Sequence, residues 1–126
     1  MQKKKKHVLV VDDVATNLRY IGEVLRDDYS ISLAKSGNQA LKMLEKISAD
    51  LILLDIKMPI MDGYEFLEKI RSIDKYKKIP VIFLSADNEE DLENKVLECG
   101  ANGFIKKPFE PQFMLAKIET VLKKED

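Results

Sequence analysis

The sequence predicts an α/β protein: a doubly wound, open parallel sheet of five strands with helices packed on both faces. Three observations lead there. Five short apolar runs alternate strictly with five segments of helical period, a pattern that builds β-α units with right-handed crossovers. Two of the runs, Leu51-Ile52-Leu53-Leu54 and Val81-Ile82-Phe83-Leu84, are apolar at every position, which suits strands covered on both faces. The 126 residues are enough for one domain with a core of its own, whereas five strands are too few for an eight-stranded barrel.

The predicted strands are His7–Asp12, Tyr29–Ala34, Asp50–Asp55, Ile79–Ser85 and Gly103–Lys106. Between and after them, apolar residues recur at helical spacing. The first stripe is Val14, Leu18, Ile21 and Leu25; the second is Ala40, Leu41, Leu44 and Ile47. Phe66, Leu67 and Ile70 form the third, Leu92, Val96 and Cys99 the fourth, and Met114, Ile118, Val121 and Leu122 the last. Asn88 followed by Glu89, Glu90 and Asp91 reads as the start of the fourth helix, a capping side chain and then acids at the positive end of the dipole. Gly100 reads as its stop.

Twenty-one basic residues stand against 22 acidic ones, a net charge of −1, which argues against direct nucleic-acid binding. Cys99 is the only cysteine, so no internal disulfide and no cysteine-rich metal site can form; this fits a reducing, cytoplasmic setting. No apolar run is long enough to span a bilayer. Lys3 to Lys6 precede an apolar stretch that stops at Asp12, too short for a signal peptide, so residues 1–6 are read as a basic, solvated tail and residues 7–124 as the folded domain.

In open α/β sheets, ligands bind at the carboxyl ends of the strands. Here those ends carry Asp12 and Asp13, Asp55, Ser85, and Lys106-Lys107-Pro108. Each is by itself an ordinary turn or cap residue. Together they place three carboxylates, a hydroxyl and an ammonium around one crevice. Clustered carboxylates repel unless a cation intervenes. A hard divalent ion meets that need, Mg²⁺ first and Mn²⁺ as an alternative; there is no His/Cys set for zinc, and His7 lies at the wrong end of its strand. A carboxylate beside such an ion can act as a nucleophile on phosphorus, with the ion, the ammonium and the hydroxyl sharing the charge of the phosphoryl oxygens. The inventory matches a site that forms an aspartyl phosphate.

With those residues identified, the chain resembles the response-regulator receiver family of two-component signal transduction over nearly its whole length. The carriers are V-L-V-V-D-D-V at 8–14, D-I-K-M-P-I-M-D-G at 55–63, L-S-A at 84–86 and G-A-N-G-F-I-K-K-P-F at 100–109. The resemblance implies the (βα)5 flavodoxin-like fold with strand order 2-1-3-4-5. It implies Asp55 as phosphoacceptor, and Mg²⁺ held by Asp12, Asp13, Asp55 and the backbone carbonyl of Lys57. It further implies that Ser85 and the Ala86 backbone N–H bond phosphoryl oxygens, that Lys107 pairs with the phosphoryl charge and Lys106 does not, that Lys107–Pro108 is cis, and that Phe104 is the switch aromatic. The partners would be a sensor histidine kinase or histidine phosphotransfer protein and an unidentified output domain or target. The output surface would be the fourth helix, fifth strand and fifth helix.

Two departures from the family pattern are visible. Ser85 stands where many relatives have threonine, and Asn102-Gly103 stands where the winged-helix transcription factors usually carry acidic residues, which weakens an inference of their dimer. The fourth helix is acidic, with Glu89, Glu90, Asp91, Glu93 and Glu98 against Lys95. Lys57 and Asp87, each two residues beyond a strand-end site residue, are expected at the mouth of the site, where they would slow hydrolysis by covering the water's approach. A dehalogenase-type phosphatase would need an Asp-x-Asp pair after the first strand, and a flavin binder a Gly-rich phosphate loop; Asp12-Asp13-Val14 is neither. The sequence leaves open whether the chain is a stand-alone regulator or a piece of a larger protein.

Overall fold

A computed structural model describes residues 4–85 and 91–125 of the protein. Ten elements alternate along the chain: β1 (His7–Val11), α1 (Ala15–Leu25), β2 (Ser30–Ala34), α2 (Gly37–Leu44), β3 (Leu51–Asp55), α3 (Gly63–Arg71), β4 (Val81–Ser85), α4 (Leu92–Cys99), β5 (Gly103–Lys106) and α5 (Pro111–Glu125). The strands form one sheet in the order β2-β1-β3-β4-β5, with every pairing parallel. This is the doubly wound flavodoxin-like arrangement predicted from the sequence. β1 lies between β2 and β3, so the connections leave it in opposite directions and open a crevice at its carboxyl end.

Alternate residues of each strand feed two cores. On one face Leu9, Val11, Ile52, Leu54 and Phe83 pack with Ala40 and Leu44 of α2, Phe66, Leu67 and Ile70 of α3, and Leu92 and Val96 of α4. On the other, Val8, Val10, Leu51, Leu53, Ile82 and Leu84 pack with Leu18, Ile21 and Leu25 of α1 and Met114, Ile118, Val121 and Leu122 of α5. Each such side chain, fully removed from water, contributes roughly 1.5–3 kcal/mol before the entropy of ordering it is counted.

The helix stripes are buried as the periodicity predicts, except that Leu41 and Cys99 are half-buried and that two residues lie outside the helices. Val14 is not a helical core residue. It is the extended N-cap of α1, is 43% exposed, and turns toward the strand-end crevice. Its spacing to Leu18 mimics a helical stripe because a cap residue stands one position before the first helical turn. Ile47 lies beyond α2, in a turn whose amide donates to the Met43 carbonyl (3.0 Å), and is half-buried there.

Three starts are fixed by capping, that of α5 by Glu110, whose carboxylate accepts from the Phe113 amide (2.8 Å). Ser36 accepts from the Gln39 amide at the head of α2 (3.1 Å), and Asp62 and Glu65 form a reciprocal capping box at the head of α3. Gly100 ends α4 with φ +80°, as its sequence position predicts. α4 begins at Leu92, after Asp91; the capping role expected of Asn88 falls outside the described residues.

Candidate functional site

The crevice between the ends of β1, β3, β4 and β5 is a cleft of about 210 Å³, lined in part by Asp13, Asp55, Lys57, Ser85 and Lys107. Strand register puts these residues at one level. Val11 pairs with Leu54, so the residue after each (Asp12 and Asp55) emerges at adjacent strand ends. Leu84 pairs with Asp55, and Ser85 with Lys106. The Lys107 amide then donates to the Ser85 carbonyl (2.8 Å), which carries the β4–β5 pairing one residue beyond the strands.

Asp12 is fully buried. One carboxylate oxygen accepts from the Val14 amide (2.9 Å) and the other from the Asn17 side chain (3.1 Å). The first bond closes an Asx turn that launches α1, and the second fixes the carboxylate plane. Asp13, the next residue, is exposed. Carboxylate oxygens of Asp12, Asp13 and Asp55 all lie within 4.8 Å of one another.

That crowding has an electrostatic cost. Burial pushes the Asp55 carboxyl up from 3.8 to about 7, with the charge of Asp12 adding to the rise and the Lys107 ammonium opposing it. Burial likewise raises Asp12, against the hydrogen bonds from Val14 and Asn17 and the charge of Lys107. Asp12 is held by donors that lower its carboxyl against the burial, whereas the side-chain hydrogen bond between Asp55 and Asp13 adds to the rise at Asp55. A cation among the three would remove the repulsion that raises both. The donor set, three carboxylates offering oxygen, fits a hard divalent ion.

Ser85 supplies an independent sign that the cleft is built for a guest. Its hydroxyl is 1% exposed and has no hydrogen-bond partner among the described residues. Buried hydroxyls are nearly always paired, so an unpaired one at a cleft wall is a donor held in reserve. Lys107 faces the same cleft, and its peptide bond to Pro108 is cis. Lys106, by contrast, is the exposed last residue of β5 and faces a separate concavity with Phe104.

Gly63 is the hidden member of the site. A Cβ there would lie 2.6 Å from the Asp55 carbonyl oxygen and 2.9 Å from the Ile56 Cα. Its amide donates to the Ile56 carbonyl (2.7 Å). The head of α3 therefore sits directly against the end of β3, which only glycine permits.

The structure brings Asp12, Asp13, Asp55, Lys57, Ser85 and Lys107 to one cleft; Phe104 lies on β5, half-buried, and lines a separate concavity with Asp91, Leu92 and Asn94. Ala86 and Asp87 fall outside the described residues. Sequence reasoning missed Asn17, Val14 and Gly63. An Asx-turn signal was present in Asp12-Asp13-Val14, but nothing local showed that Asn17 would reach back to Asp12.

Comparison with known proteins agrees with this geometry. The model of the response regulator receiver domain matches residues 8–119. "Probable transcriptional regulator ycf29" of Porphyra purpurea is 38% identical over 117 residues, 92% of this chain and 56% of the relative, so the chain spans about half of that protein. The two-component response regulator ORR5 of Oryza sativa is 36% identical over 107 residues, 83% of this chain and 80% of the relative. The structure of Vibrio cholerae chemotaxis protein CheY4 superposes with a TM-score of 0.86 at 30% identity, covering 93% of this chain and 98% of that one. A cleft of three carboxylates, a buried hydroxyl with no partner among the described residues and a lysine, on a 2-1-3-4-5 sheet and within such a sequence match, means that the chain belongs to the response regulator receiver domain family of two-component systems.

Proposed function

We propose that the protein accepts a phosphoryl group on Asp55 in a Mg²⁺-dependent reaction, with a sensor histidine kinase or a histidine phosphotransfer protein as donor. The observation that carries this reading is the convergence on one cleft of the Asp12, Asp13 and Asp55 carboxylates with the buried Ser85 hydroxyl, which has no partner among the described residues. A carboxylate oxygen of Asp55 attacks phosphorus, the bond between phosphorus and the donor imidazole nitrogen breaks, and the imidazole leaves.

Asp12, Asp13, Asp55 and the Lys57 carbonyl are the groups that would hold Mg²⁺, or Mn²⁺ in its place. Bound there, the ion supplies the positive charge that keeps Asp55 ionised and oxygen coordination for the phosphoryl group. The remaining steps belong to the chain. Asn17 and the Val14 amide hold Asp12 still. The Ser85 hydroxyl donates to one phosphoryl oxygen, with the Ala86 amide as a second donor, and the Lys107 ammonium offsets the charge of another. Ser85 moving onto the phosphoryl group frees room for Phe104, which lies beside Asp91, Leu92 and Asn94 of the α4 region. The face of α4, β5 and α5 then favours a different partner, an output domain or target protein. In this reading the protein is a switch in the cytoplasm, with residues 7–124 as the receiver unit, residues 1–6 as a basic tail and no direct nucleic-acid contact. Among the described residues no helix is long and apolar enough to cross a membrane.

Lys57, exposed at the cleft, would set the lifetime of the phosphorylated state by covering the in-line approach of water, with Asp87 as its ion-pair partner. The experiment is labelling with acetyl phosphate in Mg²⁺ followed by intact mass measurement. One phosphoryl adduct is expected, lost in Asp55→Asn; an adduct that survives that substitution refutes the assignment. Chasing the same adduct, Lys57→Asn is expected to lose phosphate faster than wild type, and an unchanged rate removes the shielding role.

A further inference from the structure

We infer that Tyr20 is a positioning residue for the Lys107 ammonium. The inference rests on the phosphoacceptor reading above and adds a residue that the family motifs do not contain. Tyr20 lies on α1, on the same face of the sheet as α5. Its hydroxyl donates to the backbone carbonyl of Phe109, 89 residues further along the chain, at 2.9 Å. Phe109 lies two residues beyond Lys107, just past the cis Lys107–Pro108 bond. The Lys107 Nζ stands 5.8 Å from the centroid of the Phe109 ring, within range of a cation–π contact.

The loop from Lys107 to Glu110 is thus held at three points. At its start the Lys107 amide donates to the Ser85 carbonyl (2.8 Å). At its end the Glu110 carboxylate accepts from the amides of Gln112 (3.2 Å) and Phe113 (2.8 Å) and so caps α5. Tyr20 holds the middle, through the peptide that orients the Phe109 ring under the ammonium. Lysine has four rotatable bonds and is a poor candidate for precise placement unless something packs against it. Here the packing surface is Phe109, and Tyr20 fixes that surface to the rigid helix that starts at the acidic pair.

A purely structural role would also leave Tyr20 in this place, so the two must be separated. Tyr20 is 41% exposed, and removal of its hydroxyl leaves a carbonyl that water can reach. Tyr20→Phe should therefore fold like the wild type. If Tyr20 acts through Lys107, its removal matters only while Lys107 is present.

The experiment measures the initial rate of labelling by acetyl phosphate in saturating Mg²⁺ for wild type, Tyr20→Phe, Lys107→Ala and the double variant. Tyr20→Phe is expected to slow labelling by about 3- to 10-fold in the wild-type background and by less than about 1.5-fold in the Lys107→Ala background. A second readout is the side-chain NMR signal of Lys107 in the unphosphorylated protein. It should shift in Tyr20→Phe while that of Lys106 stays. Equal slowing in both backgrounds, an unaltered rate, or an unmoved Lys107 signal overturns the inference. Failure of the underlying reading looks different: the wild type itself would take no label.

Discussion

The two ends of the sheet are built on opposite terms. At the amino end polar groups are matched. The His7 amide donates to the Asp50 carboxylate (2.8 Å), and the His7 ring lies 2.7 Å from the Ser32 hydroxyl. Arg71 donates to the carbonyls of Ile79 (2.8 Å) and Gly100 (3.2 Å) and to the Asn102 side chain (3.4 Å), which in turn accepts from the Val81 amide (2.9 Å). At the carboxyl end, three carboxylates crowd within 4.8 Å, and a buried hydroxyl has no partner among the described residues. There the backbone is strained as well. Ile60, a β-branched residue, has φ +71° and is 93% exposed. The amino end is closed by paired polar groups, and the carboxyl end gathers like charges.

The sharpest way to break this comparison is to remove a partner at the matched end. Arg71→Ala leaves two carbonyls and the Asn102 oxygen without a charged donor. A loss of about 2–3 kcal/mol is expected in urea unfolding, with labelling by acetyl phosphate retained in the folded protein. A loss below about 0.5 kcal/mol would mean that water replaces the arginine and the amino end is not the anchored one.

At the unmatched end, removing a group should do the reverse. Asp55→Asn is expected to stabilise the metal-free protein by about 2 kcal/mol at pH 8. The sign follows from the raised carboxyl. With a folded value of about 7 against an unfolded 3.8, the folded state holds more protons between those limits. Stability therefore falls as pH rises from about 4 to about 7, and the deficit of the wild type against Asp55→Asn should shrink toward pH 5. Saturating Mg²⁺ should stabilise the wild type more than the variant. Unfolding curves of both proteins at pH 5 and pH 8 decide it; a wild type as stable as the variant at pH 8 would show that the crowding is harmless.

The smallest effect concerns Ile60. Asparagine tolerates the left-handed region, so Ile60→Asn should stabilise by about 0.5–1 kcal/mol. An exposed side chain offers little burial to lose. Destabilisation in the same urea assay would show that the isoleucine packs in the folded protein.

Much of the fold could be read from the chain because parallel strands covered on both faces must be apolar throughout. Leu51 to Leu54 and Val81 to Leu84 announce themselves, and Asp55 and Ser85 stand out where the apolar runs stop. The carboxyl-end residues were legible for the same reason. Contacts that join distant segments were not. Nothing around Tyr20 points to Phe109, and nothing around Arg71 points to Gly100 or Asn102, since each pairing exists only after helices dock on the sheet. Asn102 was visible only as a departure from an acidic pattern, whereas in the structure it ties the heads of β4 and β5 together, its side-chain oxygen accepting from Val81 and its amide donating to the Val81 carbonyl (2.7 Å).

The strand order also governs when the cleft can exist at all. Its walls come from residue 13 through residue 107, and β5 is the last strand among the described residues. β1 and β3 lead into the three carboxylates, and the Lys107 ammonium that opposes the charge at Asp12 and Asp55 follows β5. Undocking β5 would therefore take an opposing charge away from both Asp12 and Asp55. Pairing of β5 with β4 thus contributes charge at the cleft as well as backbone hydrogen bonds, a long-range contact that joins residue 107 to residues 12 and 55.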